Sequence, residues 1–268
     1  MLLTLAMLAL AQAPAPGGPY LDSHGNLHAS LPRLSDYPDA ETFDALWANE
    51  VFFDGVGYFQ IDRPWTPEEL AAQTQFFGHF QPRSGPGGSI RATVRTHHPV
   101  DEEYRALYGT TAALKSHIVE VVEGADNALE SNWSINLVPS TGYAWDSNDS
   151  ADISSLLDEA YNEGGGLNGQ CLMIAYSNDS TPGGAIGVGY LGLPRCLVKR
   201  YLNTLNEQAI TQHEVGHTYT LNHCCDNNCI MQSFLDTGAF GNFHNYNENC
   251  SNQNHTSVMN AQRNRYCP

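Results

Sequence analysis

Between Asn203 and Leu221 the chain carries His213-Glu214-Val215-Gly216-His217, with His223 six residues further on, and no other segment restricts the fold so tightly. Residues four apart on a helix share one face. His213 and His217 can therefore point two imidazole nitrogens at one ion, with Glu214 one position on, beside the open coordination position. The spacing predicts a helix from about Asn203 to Leu221 that ends soon after His217, so that the chain folds back and delivers His223 as a third ligand. Asp226 is the alternative third ligand. Three neutral imidazoles leave Zn²⁺ one open position for water, and Glu214 is placed to take that water's proton as general base.

The segments before this helix read as an α/β domain. Ile90 to Arg95 alternates like a strand, and Val100 to Glu130 has a helical period. Ser134 to Val138 is a second strand, Asp152 to Tyr161 a helix, and Cys171 to Tyr176 a buried strand. The Gly-rich run Ile186 to Leu193 suits an edge strand where another backbone can approach, and Cys196 to Leu202 completes the sheet. Gly187 to Leu193 is the candidate strand for an extended peptide substrate; a buried edge covered by the N-terminal piece is the alternative.

The residues His213-Glu214-x-x-His217-x-x-x-x-x-His223 resemble the metzincin zinc endopeptidases, and Cys224-x-x-x-x-Cys229-x-Met231 is similar in spacing to the archaemetzincins. The resemblance covers roughly Ser89 to the C-terminus. It implies a metzincin-like α+β catalytic domain with a mixed twisted sheet, a long active-site helix and a small irregular Cys-containing C-terminal subdomain. It also implies that Met231 fills the methionine turn beneath the zinc. Two departures stand out. Thr220 occupies a position where the clan usually has Gly, in a turn that a β-branched residue dislikes, and Asn222 is the residue suited to carry that turn instead. Archaemetzincins complete a structural zinc site with a Cys-x-x-Cys pair, whereas here Cys250 is followed by Gln253. A second zinc on Cys224, Cys229 and Cys250 would need a fourth ligand from Cys267, Cys225 or His255.

Disulfides are the preferred account of the seven cysteines, because the chain opens like a secreted one. Leu2 to Leu10 is an apolar run too short to span a bilayer, and Ala11-Gln12-Ala13 follows it, so residues 1–13 read as a signal peptide; Ala9-Leu10-Ala11 is a competing cleavage pattern. Cys171 and Cys196 lie on neighbouring expected strands and are candidates to pair, with five further cysteines competing for two bridges and about one thiol left over. Residues 14–88 form an N-terminal extension or a prosegment removed near Arg83, read as two short helices around the aromatic segment Val51 to Ile61. Thr66, Pro67 and Glu69 mark the second helix start. No Cys precedes Cys171, which excludes latency through a thiolate on the metal. Residues 89–268 form the catalytic domain.

With 29 Asp plus Glu against 12 Lys plus Arg, a net charge of −17 repels phosphate backbones, and no later segment approaches the length of a membrane helix. The expected partner is a peptide or protein substrate, and the expected location is extracellular. The function these features point to is a secreted zinc-dependent endopeptidase with metal ligands His213, His217 and His223 and with Glu214 as general base. A non-catalytic extracellular binding protein with a structural zinc and Cys-rich tail, and a zinc hydrolase of non-peptide amides, are the alternatives.

Overall fold

A computed structural model describes residues 19–63, 92–225, 227–248 and 250–267. The signal sequence, the Thr66 helix start, the segment around Arg83 and Asp226 lie outside the described residues.

The domain is α+β, organised on a five-stranded mixed sheet of order β6-β5-β7-β9-β8. Its strands are β5 (Ala92–Val100), β6 (Ile135–Ala144), β7 (Leu172–Ser177), β8 (Gly187–Gly189) and β9 (Arg195–Lys199). β6, β5, β7 and β9 run parallel, and β8 pairs antiparallel with β9 at the edge. Side chains alternate across the pleat. Leu172, Ile174 and Tyr176 of β7 and Cys196 and Val198 of β9 therefore enter one core, while Met173, Ala175 and Leu197 enter the other.

The first core packs the sheet against two long helices, α3 (Thr111–Trp133) and α5 (Thr204–Thr218). Thr110 caps α3 by accepting from the Ala113 amide, and Leu114, Ile118, Val121, Ala125 and Leu129 recur at the helical period on its buried face. The single helix expected over Val100 to Glu130 is in fact three elements. β5 continues through His97 and His98 to Val100. Asp101 then caps a short helix, α2 (Glu102–Ala106), and Thr110 starts α3.

The second core joins α4 (Ile153–Glu163) to the N-terminal residues, among them Tyr20, Phe52, Phe59 and Ile61. Of the two helices expected around the aromatic stretch, the first is α1 (Ala40–Trp47) and the second, from Thr66, lies outside the described residues. Residues 19–63 also form a four-stranded antiparallel sheet of order β2-β1-β3-β4, which was not expected. Its strands are β1 (Tyr20–Leu21), β2 (Leu27–His28), β3 (Phe52–Phe53) and β4 (Tyr58–Phe59). The aromatic run forms the β3–β4 hairpin because Phe52 and Phe59 face the shared core on neighbouring strands, with rings 6.1 Å apart. Asp54 meets the amides of Val56 and Gly57 in the turn.

The chain after α5 is largely irregular, ending in α6 (His255–Gln262) and tied back to the sheet by a disulfide between Cys171 and Cys267, with Cα atoms 5.6 Å apart. Cys171 thus bonds Cys267 rather than Cys196, which is free and fully buried in the first core. Among the described residues no helix is long and apolar enough to cross a membrane.

The extension of β5 buries His98 between the Thr96 hydroxyl (2.8 Å) and the Ile174 carbonyl (3.1 Å). Burial, aided by neighbouring His97, pushes its imidazole from the ordinary 6.5 down to about 4. Between those values the unfolded chain binds the extra proton, so this stability is present above pH 6.5 and lost as pH falls toward 4. Asp101, raised by burial to about 6, acts in the opposite sense over part of that window. Comparison with His98→Gln isolates the imidazole. In urea unfolding, the stability advantage of the wild type over the variant should shrink by about 3 kcal/mol from pH 7 to pH 4.

Candidate metal centre and active site

Helix α5 begins at Asn203, whose side chain accepts from the Asn206 amide, and it is buried along almost its whole length. It ends in a Schellman turn: the Leu221 amide donates to the Gly216 carbonyl (3.1 Å) and the Thr220 amide to the His217 carbonyl (2.8 Å). The left-handed position of this motif, usually Gly, is Thr220 at φ +71°. The expectation that Asn222 carries the turn is therefore corrected. Gln253 clamps the turn from outside, its amide donating to the Thr220 carbonyl (2.9 Å) and its oxygen accepting from the Asn222 amide (2.8 Å).

The turn brings His223 back to His213 and His217, with ring centroids 4.7, 4.9 and 5.2 Å apart. Each Nδ1–H donates to a backbone carbonyl: His213 to Ile230 and His217 to Leu221, both at 2.7 Å, and His223 to Ala48. Those bonds leave all three Nε2 atoms as bare lone pairs facing inward. The Nε2 atoms of His213 and His217 stand 3.0 Å apart. Lone pairs gathered this way in a buried site suit a cation, and three imidazoles suit zinc.

The fourth member of the cluster is Asp62, from the N-terminal segment; all four residues are buried, with ligand atoms within 4.8 Å of one another. Its oxygens lie 3.0 Å from His213 Nε2 and 2.7 Å from His223 Nε2, yet neither oxygen makes a hydrogen bond of acceptable geometry. Its neighbours hold it there. Arg63 forms a two-pronged pair with Asp44 (2.9 and 2.7 Å) and stacks on Phe234, while the Gln60 side chain accepts from the His223 amide (2.9 Å). The sequence reading missed Asp62 and Gln60. The only local trace is an acidic residue closing an aromatic stretch, and nothing in the spacing links it to residues 150 positions away.

Glu214 is fully buried, and neither carboxylate oxygen has a hydrogen-bond partner. Burial and then the Asp62 carboxylate push its carboxyl well above the usual range. Two glycines of edge strand β8 make room for it. A Cβ on Gly187 would come within 2.8 Å of Glu214 Cδ, and one on Gly189 within 2.5 Å of the Glu214 carbonyl. Met231 lies beneath the helix against Gly216, where a Cβ would meet its Sδ at 2.5 Å. Beside His213 and Glu214 lies a small cleft lined by Ile186, Ile210, Ile230, Phe234 and Leu235, with Asp62, Gln232 and Asp236 at its polar side.

The edge next to the site is already partnered. Tyr190, just past β8, bridges antiparallel to Phe59, and the Leu191 amide donates to the Tyr58 carbonyl at 2.7 Å. Within Gly187 to Leu193 the N-terminal segment thus pairs with Tyr190 and Leu191.

The three-cysteine set Cys224, Cys229 and Cys250 does not assemble as a metal site, because Cys250 bonds Cys225 with Cα atoms 6.0 Å apart. Three cysteines are free (Cys196, Cys224 and Cys229) rather than the single thiol expected. The reason is tertiary: Cys224 turns inward behind His223, while the next residue, Cys225, faces outward toward Cys250.

The Thr220 geometry is strained for a β-branched residue, at a typical cost of about 1–3 kcal/mol, partly offset in any Gly variant by lost chain entropy. Thr220→Gly should raise unfolding stability by about 1 kcal/mol in denaturant titration.

Residues 91–267 match the family described as Metallo-peptidase family M12. No curated protein matches. A solved chain described as "Structure of a chaperone-substrate complex" is similar at a TM-score of 0.49 and 15% identity, over 66% of this chain and 35% of that one. The family match takes in the sheet, the histidine helix and the C-terminal turn, and it makes this chain a member of the M12 metallopeptidase family.

Proposed function

We propose that this chain is a secreted zinc-dependent endopeptidase whose N-terminal segment holds it latent. The observation that carries the reading is the set of three inward Nε2 lone pairs beside a buried carboxylate with no partner of its own. His213, His217 and His223 would hold the metal. Zinc there supplies a Lewis acid for the scissile carbonyl and makes water a nucleophile near neutral pH.

Glu214 does the proton work. As a carboxylate it accepts the water's proton at an oxygen, and as an acid it donates that proton to the departing amine. Gly187 and Gly189 leave room for it against the strand. An extended substrate pairs with the edge at β8, beside the apolar residues Ile186, Ile210, Ile230 and Leu235. Met231 supports the helix from below. The disulfides Cys171–Cys267 and Cys225–Cys250 favour an oxidising, extracellular location.

The latent form follows from Asp62. Its carboxylate competes for the coordination position water needs, and the Tyr58–Phe59 strand covers the edge where substrate would lie. Cleavage near Arg83 would free the residues from 14 to about 83 to leave as a prosegment, and this piece, with no thiolate, offers a carboxylate.

Purified protein cut near Arg83 and incubated with a mixed peptide library should cleave internal bonds, and a zinc chelator should stop it. Glu214→Ala should lower kcat/KM by about 10²–10⁴ while bound zinc stays unchanged. Loss of zinc in that variant, or full activity, would remove the general base from the account.

Unprocessed Asp62→Ala should cleave a fluorogenic peptide at least about tenfold faster than unprocessed wild type. Equal rates would mean that Asp62 does not restrain the site.

A further inference from the structure

A second group of ligand-type side chains lies behind the first, made by Cys224, Cys229, Glu248 and His255. All four are buried, with one ligand atom each within 4.8 Å of the others. Cys229 Sγ stands 3.4 Å from His255 Nδ1, and His255 Nε2 lies 3.9 Å from a Glu248 oxygen without a hydrogen-bond partner. The Glu248 side chain is held in place by His244, whose Nδ1–H donates to it at 2.9 Å, and by the Cys225 amide at 3.2 Å. The group comes from four separate places in an irregular subdomain with little regular structure to fix them.

Two facts separate this group from a chance meeting of polar residues. Cys224 and Cys229 are unbonded although Cys225, one residue away, is in a disulfide. Thiols so close, in a chain that forms disulfides, would oxidise together unless something held them. A carboxylate, an imidazole nitrogen without a hydrogen-bond partner and two thiols are also buried together. That combination is costly in a low-dielectric interior unless a cation balances it.

We infer that Cys224, Cys229, Glu248 and His255 form a second, structural centre for a thiophilic divalent metal such as zinc. Two thiolates, one imidazole and one carboxylate fill a tetrahedral shell and leave no open position, as structural zinc requires. His244 orients the carboxylate from behind. The centre would fasten the active-site loops: Cys224 directly follows His223, and Cys229 precedes Ile230, whose carbonyl receives the His213 Nδ1–H. His255 opens α6 and Glu248 lies in the loop before it, so the metal would pin both flanks of the histidine turn to the C-terminal subdomain.

Cobalt separates the two centres, because only a thiolate ligand gives a near-ultraviolet sulfur-to-cobalt charge-transfer band. Full-length protein loaded with cobalt should bind about two equivalents and show that band. His217→Ala should bind about one equivalent and keep the band, whereas His255→Ala should weaken or abolish it. Denaturing unmutated, unreduced protein in chelator should expose the three free thiols. Absence of the band, or about one thiol in place of three, would overturn the centre, the latter by showing Cys224 bonded to Cys229. Both of those readings use unmutated protein, so a variant that fails to fold leaves the test intact. Neither depends on Glu214 or on cleavage, so the proposed peptidase can fail or stand separately.

Discussion

Three hydrogen bonds from imidazole Nδ1 atoms to backbone carbonyls are the constraint on which the site depends. Each fixes a tautomer and a ring plane, and together they turn three Nε2 lone pairs to one point. The carbonyls come from Ile230, Leu221 and Ala48, so three distant stretches of chain meet at the site, and the Ala48 bond is the one that would be given up if the N-terminal segment is released as proposed. One belongs to the methionine loop, one to the turn after α5 and one to the N-terminal segment. The disulfide to Cys171 and the proposed second centre both secure the subdomain that supplies the first two.

The sheet serves the site through its edge. β8 is the one antiparallel strand of the five, and its glycines let the Glu214 side chain lie against backbone where any larger residue would collide. The same edge is where the N-terminal hairpin attaches through Tyr58 and Phe59. Tyr190 ties the two functions together, since its ring packs on Phe59 and its hydroxyl donates to Asp54 at 2.5 Å. A segment that contributes Tyr20, Phe52, Phe59 and Ile61 to a shared core is held by far more than one carboxylate. Release of that segment, as proposed, would therefore call for a cut in the connection.

Strain and support sit side by side at the end of α5. Thr220 accepts a left-handed backbone that glycine would adopt freely, and Gln253 bonds both neighbouring backbone groups to hold it. The residue that breaks the archaemetzincin-like spacing thus acts as a clamp on the turn. Cys250, its near neighbour, is committed to Cys225.

How much was legible in the sequence follows from the range of each interaction. The helix over His213 to His217, its end before His223, the order of sheet and helices and the Gly-rich edge are written in short periodic patterns. Four-residue helical spacing and two-residue strand alternation are local properties of the backbone. The split of Val100 to Glu130 was hidden because Asp101 and Thr110 cap helices inside a continuous apolar pattern. Cysteine pairing, the carrier of the left-handed turn and above all Asp62 were decided only by tertiary structure. They join residues from 25 to about 160 positions apart, such as Cys225 with Cys250 and Asp62 with His223. Local spacing cannot encode such contacts, because they exist only after two cores have formed on opposite faces of one sheet.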